Sequence, residues 1–149
     1  MRYLAVSSSQ KRASISFFAN SKLILNIEAE RDIQPSQWFS SAILLLTKIY
    51  DDLFKNLNFI AIDIGPGSFT GIKVGLAFVK GLVQKDNIPV VCVNSLEANA
   101  VLGPENTKIA VVKNARRGLY YFALYEKGIS HMENITEPMA LTKEKVIEN

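Results

Sequence analysis

The chain has 149 residues, 48% of them hydrophobic and 21% charged, the balance of an ordinary folded domain rather than of a disordered or fibrous protein. This length supports one core, or one core with a small lobe, and the single cysteine, Cys92, excludes an intramolecular disulfide. A net charge of +3 and a pI near 9.0 lean slightly towards nucleic acid, against the plainer reading of a solvated surface.

In chain order, Tyr3–Val6, Ala13–Phe18 and Lys22–Ile27 read as strands, joined by tight turns at Gln10-Lys11-Arg12 and Asn20-Ser21. Pro35 and Ser36 open a helix whose apolar spacing runs from Trp38 to Phe54. Phe59–Ile64 is a buried strand interrupted only by Asp63, and it runs into Gly65-Pro66-Gly67. A second helix spans residues 68–86, and Pro89–Val93 is a further buried strand. Three meandering strands followed by helix, strand, helix and strand describe the ribonuclease H-like half-unit of actin-type proteins, because parallel strands need helical crossovers. Ser95–Leu102 reads as a short helix and Gly103-Pro104-Glu105-Asn106 as a lobe boundary. The α/β fold is thus expected as a full N-terminal lobe over 1–102 and a reduced second lobe over 103–149. In the second lobe Lys108–Lys113, Leu119–Tyr125 and Ile129–Thr136 are expected strands, and Thr142–Glu148 a terminal helix. No apolar stretch approaches the roughly 20 residues of a membrane span, and no signal peptide opens the chain, so a cytoplasmic protein without membrane contact is expected.

Both helices of the first lobe carry more apolar surface than one core needs. On a helical wheel Trp38, Phe39, Ala42, Ile43, Leu45, Leu46, Ile49, Tyr50 and Leu53 cover an arc of roughly 160°, where about 100° covers a sheet. Leu44 lies within the otherwise polar face. In the second helix Phe69, Ile72, Leu76, Val79 and Val83 form one apolar face, expected to cover the sheet, while Gly71, Val74, Gly75, Phe78 and Leu82 form another beside it. A glycine inside a helix costs about 1 kcal/mol relative to alanine and permits close backbone approach by another element. The expectation is a partner interface at Trp38, Ala42, Leu45, Ile49, Gly71, Val74, Gly75, Phe78 and Leu82; the alternative is that the glycines accommodate the sheet.

The densest motif, Gly65-Pro66-Gly67-Ser68-Phe69-Thr70-Gly71, joins a buried strand to a helix N-terminus, where backbone donors can face an anion. Its spacing is neither a dinucleotide fingerprint nor a P-loop, and Pro66 has no N–H to offer. A tight strand-to-helix turn capped by Ser68 is preferred to a phosphate site. Asp63 beside it could bind a cation or act as a base, although such a carboxylate more often accepts nearby backbone N–H groups. With one histidine, His131, and one thiol, no cluster of soft metal ligands can be assembled. No catalytic residue, metal or cofactor is expected. Lys113-Asn114-Ala115-Arg116-Arg117-Gly118 is a basic turn where Lys113, Arg116 and Arg117 could contact RNA phosphates, a solvated turn being the alternative.

The block Gly65-Pro66-Gly67-Ser68-Phe69-Thr70-Gly71-Ile72-Lys73-Val74-Gly75-Leu76-Ala77 resembles the signature of the TsaB (YeaZ) family. Lys80-Gly81-Leu82, Ile88-Pro89-Val90-Val91, Val93-Asn94-Ser95-Leu96-Glu97, Asn114-Ala115-Arg116-Arg117-Gly118 and Tyr120-Tyr121 extend the resemblance over roughly residues 1 to 126. It implies an actin-like fold and a non-catalytic subunit that pairs with the catalytic TsaD through the two helices of the first lobe, with the ATPase TsaE joining. That assembly transfers a threonylcarbamoyl group to the adenosine beside the anticodon in tRNAs reading ANN codons. The chain departs from the family pattern in three places. Val6-Ser7-Ser8-Ser9 stands where an acidic residue is usual, Asn114 replaces a commonly acidic residue, and Pro35-Ser36-Gln37 replaces a histidine-containing helix start. The chain is also shorter than usual. Competing readings are a stand-alone glycoprotease-like hydrolase and a storage homodimer built on the same helical seam.

Overall fold

Alternating apolar residues in the first strands give each a face to bury, and the register keeps those faces together. In the computed structural model, which describes residues 1–30, 35–84 and 86–148, β1 (Arg2–Ser7), β2 (Arg12–Ala19) and β3 (Lys22–Glu30) form an antiparallel meander. β4 (Phe59–Asp63) and β5 (Val90–Val93) run parallel to β1, giving the order β3-β2-β1-β4-β5. The crossovers are α1 (Pro35–Ile49), between β3 and β4, and α2 (Phe69–Val83), between β4 and β5. This is the half-unit expected from the sequence, except that β5, expected to be buried, is exposed at Val90, Val91 and Cys92 because it is the edge strand. Lys85, inside the expected helix 68–86, lies outside the described residues.

Leu4, Val6, Ala13, Ile15, Phe17, Ile60 and Ile62 bury one face of the sheet in a core with Trp38, Phe39, Ala42, Leu46 and Val79. Fully burying a side chain such as Leu4 or Ile15 contributes about 1.5–3 kcal/mol. Phe39 stacks on Phe78 with centroids 4.7 Å apart, tying α1 to α2. On the sheet's opposite face Tyr3 stacks between Phe18 and Phe59, each 4.7 Å away.

The first helix ends at Ile49, earlier than the expected Phe54, because the following turn is held elsewhere. The Arg2 guanidinium lies over the Phe17 ring and donates to both Asp52 oxygens, at 2.9 and 3.2 Å. Asn56 donates to Asp52 as well. Leu53 remains fully buried, reached through this turn and the short 3-10 segment Phe54–Asn56 rather than by continuing the helix.

The chain folds as two units, Met1–Val93 and Asn94–Asn149. The boundary therefore precedes α3 (Ser95–Ala100), which was expected in the first lobe, instead of following it. Leu96 and Ala100 of α3 bury against Val111, Ala123 and Tyr125, so this helix belongs to the second core. Lys127 Nζ donates to the Val101 and Gly103 carbonyls, both at 2.6 Å, and holds the chain leaving α3 on that sheet. β6 (Thr107–Arg116) and β7 (Leu119–Lys127) form a long antiparallel hairpin. β8 (Met132–Asn134) pairs with the far end of β7, β9 (Met139–Thr142) with its first half, and α4 (Lys143–Glu148) follows.

The expected strand Ile129–Thr136 shrinks to β8. A turn in which Gly128 N–H donates to the His131 carbonyl takes its start, while Ile135 and Thr136 N–H both turn onto the Leu124 carbonyl. β9 was not expected, since four residues after Pro138 carry little periodicity of their own.

Candidate functional site

The glycine motif and the serine turn after β1 interlock. Asp63, at the end of β4, accepts from Ser7 Oγ at 2.8 Å, Ser9 Oγ at 2.5 Å and Gly65 N–H at 2.8 Å. The Gly65–Pro66 bond is cis, Ser68 N–H donates to the Ser9 carbonyl at 2.7 Å, and Ser68 Oγ caps α2 by accepting from Gly71 N–H. Ser8 Oγ donates to the Gly71 carbonyl at 2.8 Å. The Gly65, Ser68 and Gly71 N–H groups all donate within the chain, to Asp63, the Ser9 carbonyl and Ser68 Oγ, so these three are not left to hold an external anion. All three donors to Asp63 come from the chain itself, so its carboxylate organises the turn.

This interlock corrects the expected interface. Gly71 and Gly75 are buried, and a Cβ on Gly75 would run into Ser8 Oγ and touch Ile62 Cδ1 of β4. Gly67 likewise leaves no room for a Cβ against the Ser9 carbonyl. The close approach read from these glycines is real, but the approaching element is the turn after β1 of the same chain. The expected division of α2 into a sheet face and a partner face is accordingly redrawn. The glycine stripe and Val79 face the sheet, whereas Phe69 is 71% exposed with Lys73 Nζ 4.1 Å from its ring centroid, and Leu76 is exposed. Thr70 is exposed beside Phe69. Trp38 and Ala42 point into the core for the same reason, because their stripe of α1 covers β2 and α2.

What α1 and α2 leave uncovered is an apolar groove of about 470 Å³. Ser40, Ile43, Leu44 and Thr47 line it from α1, Ala77, Phe78, Gly81 and Leu82 from α2, with Phe54 at its end. Leu44 is 57% exposed there, which explains its place in an otherwise polar stripe. Of the expected interface residues, Phe78 and Leu82 line the groove, Leu45 and Ile49 are exposed outside it, and Val74 packs half-buried against the core. The sequence reading missed Gly81, beside which a Cβ would meet nothing within 4 Å.

In the second unit, Arg116, Arg117 and Gly118 form the β6–β7 turn, all with positive φ (69°, 52° and 76°). Asn114 Oδ1 accepts from Arg116 N–H at 2.7 Å and fixes it. Both arginines are exposed. Lys113 is half-buried and donates to Ser95 Oγ at 2.8 Å, which withdraws it from the tip. His131 and Cys92 are both exposed. Among the described residues no three His, Cys, Asp or Glu side chains gather as a metal site, and no helix is long and apolar enough to cross a membrane.

Residues 36–148 match the family model of TsaD, tRNA N6-adenosine threonylcarbamoyltransferase. The tRNA threonylcarbamoyladenosine biosynthesis protein TsaB of Bacillus subtilis is 37% identical over 73 residues, which cover 48% of this chain and 32% of that protein. TsaB of Escherichia coli is 25% identical over 156 aligned residues, covering 99% of this chain and 64% of the relative. YeaZ from Pseudomonas aeruginosa superposes with a TM-score of 0.78 at 21% identity, covering 94% of this chain and 67% of that one. The chain thus matches about a third to two thirds of the length of these curated relatives. Its fold is the actin-like α/β fold expected from the sequence, and the chain, similar to these TsaB and YeaZ proteins, belongs to the family defined by the TsaD model.

Proposed function

We propose that the chain is a non-catalytic scaffold subunit in the biosynthesis of tRNA N6-threonylcarbamoyladenosine, pairing with TsaD through the outer surfaces of α1 and α2, with TsaE joining the assembly and tRNA engaged through it. The observation that carries this reading is the apolar groove between the two helices, which Leu44 lines while 57% exposed; Leu45 and Ile49 of α1 and Phe69 and Leu76 of α2 add exposed apolar surface outside the groove. Burying such a surface favours association, and a specific interface would cover at least roughly 1,000 Å². The names of the relatives supply the pathway. The interlocked turn supports a non-catalytic role, because Asp63, the acid beside the motif, is engaged by Ser7, Ser9 and Gly65.

The test is co-purification with TsaD and reconstitution of tRNA modification with Leu44→Glu. The expected result is loss of the complex and of chain-dependent modification, with the isolated chain still folded. Turnover of a peptide or nucleotide by the purified chain alone would overturn the scaffold reading in favour of a hydrolase. Light scattering over a concentration series, with and without TsaD, separates the heterodimer from a storage homodimer on the same groove.

A further inference from the structure

The charges of the second unit are segregated along its sheet. At the far end of the β6–β7 hairpin Lys108 stands directly across from Glu126, and Glu126 across from Glu133, so positive and negative groups neighbour one another. At the tip the arrangement differs. Arg116 and Arg117 are exposed, and neither takes part in any ion pair found among the described residues. Because Leu119 pairs with Thr142, Lys143 follows in register beside the Gly118 turn. The acid next to it is Glu144, whose carboxyl is lowered mainly by hydrogen bonds at the start of α4, from its own backbone N–H and from Thr142. The turn itself is held by Asn114, a neutral side chain whose Oδ1 does the structural work that a carboxylate could also do. The tip is thereby built without adding a negative charge to it.

We infer that this tip, Arg116 and Arg117 with Lys143 beside them, is a docking surface for the phosphate backbone of RNA. The Asn114 hydrogen bond and the β6–β7 pairing hold the backbone of this turn, so less order remains to be imposed on it when a polyanion arrives. Half-buried Tyr120, opposite Asn114, places an aromatic ring one ladder step from the arginines. Guanidinium forks suit phosphate oxygens, and contacts of this kind position a nucleic acid without reading its bases. This inference rests on the proposed role in tRNA modification for its choice of RNA, but not for its geometry.

The experiment measures binding of a fluorescent, unmodified transcript of an ANN-reading tRNA by anisotropy, with the full chain alone and in complex with TsaD, over a range of salt. The variant is Arg116→Asn with Arg117→Asn, because asparagine tolerates positive φ and removes the charge without disturbing the turn. Each phosphate contact contributes about 0.7–0.9 to the slope of log K against log salt, so the double variant should lower the slope by about 1.5 and weaken binding roughly tenfold. Lys108→Asn, at the balanced end, should change neither. Co-purification with TsaD is read in parallel. If the complex forms but transcript affinity and salt slope are unchanged in the double variant, the inference falls while the scaffold reading stands; if TsaD fails to bind but the slope drops, the reverse holds. Absence of transcript binding by the wild-type chain and its complex, or binding of the tip to phosphatidylserine vesicles instead of RNA, would also overturn it.

Discussion

Gly75 and Gly81 sit on the same helix, six residues apart in number, and the structure assigns them opposite responses to a methyl group. At Gly81 a Cβ meets nothing within 4 Å, so Gly81→Ala should gain the helix preference of alanine, about 0.5–1 kcal/mol. At Gly75 the same gain of about 1 kcal/mol is opposed by overlap with Ser8 Oγ, which is buried and donates to the Gly71 carbonyl. Overpacking costs about 1–3 kcal/mol, and displacing the hydroxyl loses a hydrogen bond of about 0.5–1.5 kcal/mol. Gly75→Ala should therefore destabilise the chain by about 1–3 kcal/mol, roughly 3–10 °C in melting temperature. Urea denaturation and thermal melts of the isolated chain read both. A Gly75→Ala protein as stable as wild type, or a Gly81→Ala protein clearly less stable, would refute the assignment of the glycine stripe to the interior. The pair also separates folding from assembly. Gly81→Trp, which fills the groove, should abolish co-purification with TsaD while leaving the melt of the isolated chain near that of wild type.

Asp63→Ala removes the acceptor for Ser7 Oγ, Ser9 Oγ and Gly65 N–H; leaving these donors unmatched should cost about 1–3 kcal/mol in chemical denaturation, and a neutral result would mean that the turn holds without its carboxylate. The Arg2 hydrogen bond, followed by that from Asn56, holds the Asp52 carboxyl below its ordinary 3.8. Since the folded-state value is the lower one, the pair stabilises the fold above pH 3.8 and its contribution fades as pH falls through the folded value. Melting temperature should therefore drop less on acidification in Asp52→Asn than in wild type, measured by circular dichroism; identical acid profiles would remove the pair from the account.

Strand order in the first unit was legible because alternation in Leu4, Val6, Ile15 and Phe17 and the continuous run at Ile60–Ile62 leave few other arrangements. The apolar excess of α1 and α2 was legible too, but Leu44, noted only as an apolar residue in a polar stripe, was not counted in the expected interface, although it lines the groove. The direction of each face was not legible. A wheel shows that Gly71 and Gly75 invite close approach, but only the three-dimensional path of the serine turn reveals that the invitation is answered by Ser8. The lobe boundary failed for a related reason. Gly103 and Pro104 interrupt local structure, yet Leu96 and Ala100 had already committed α3 to the second core, a long-range fact that local punctuation does not carry. The basic tip was visible as composition, while the placing of Lys143 beside it depended on the register of β7 with β9.

The contact between Ser8 and Gly71 spans 63 positions of chain. Neither side can be satisfied until the N-terminal meander and the strand-to-helix crossover have each formed and met, and contacts of such long sequence separation come at a kinetic disadvantage. The interlock should thus act as a closing latch, engaged late in folding, and a chain emerging from the ribosome would hold its first three strands without their seal until α2 is available.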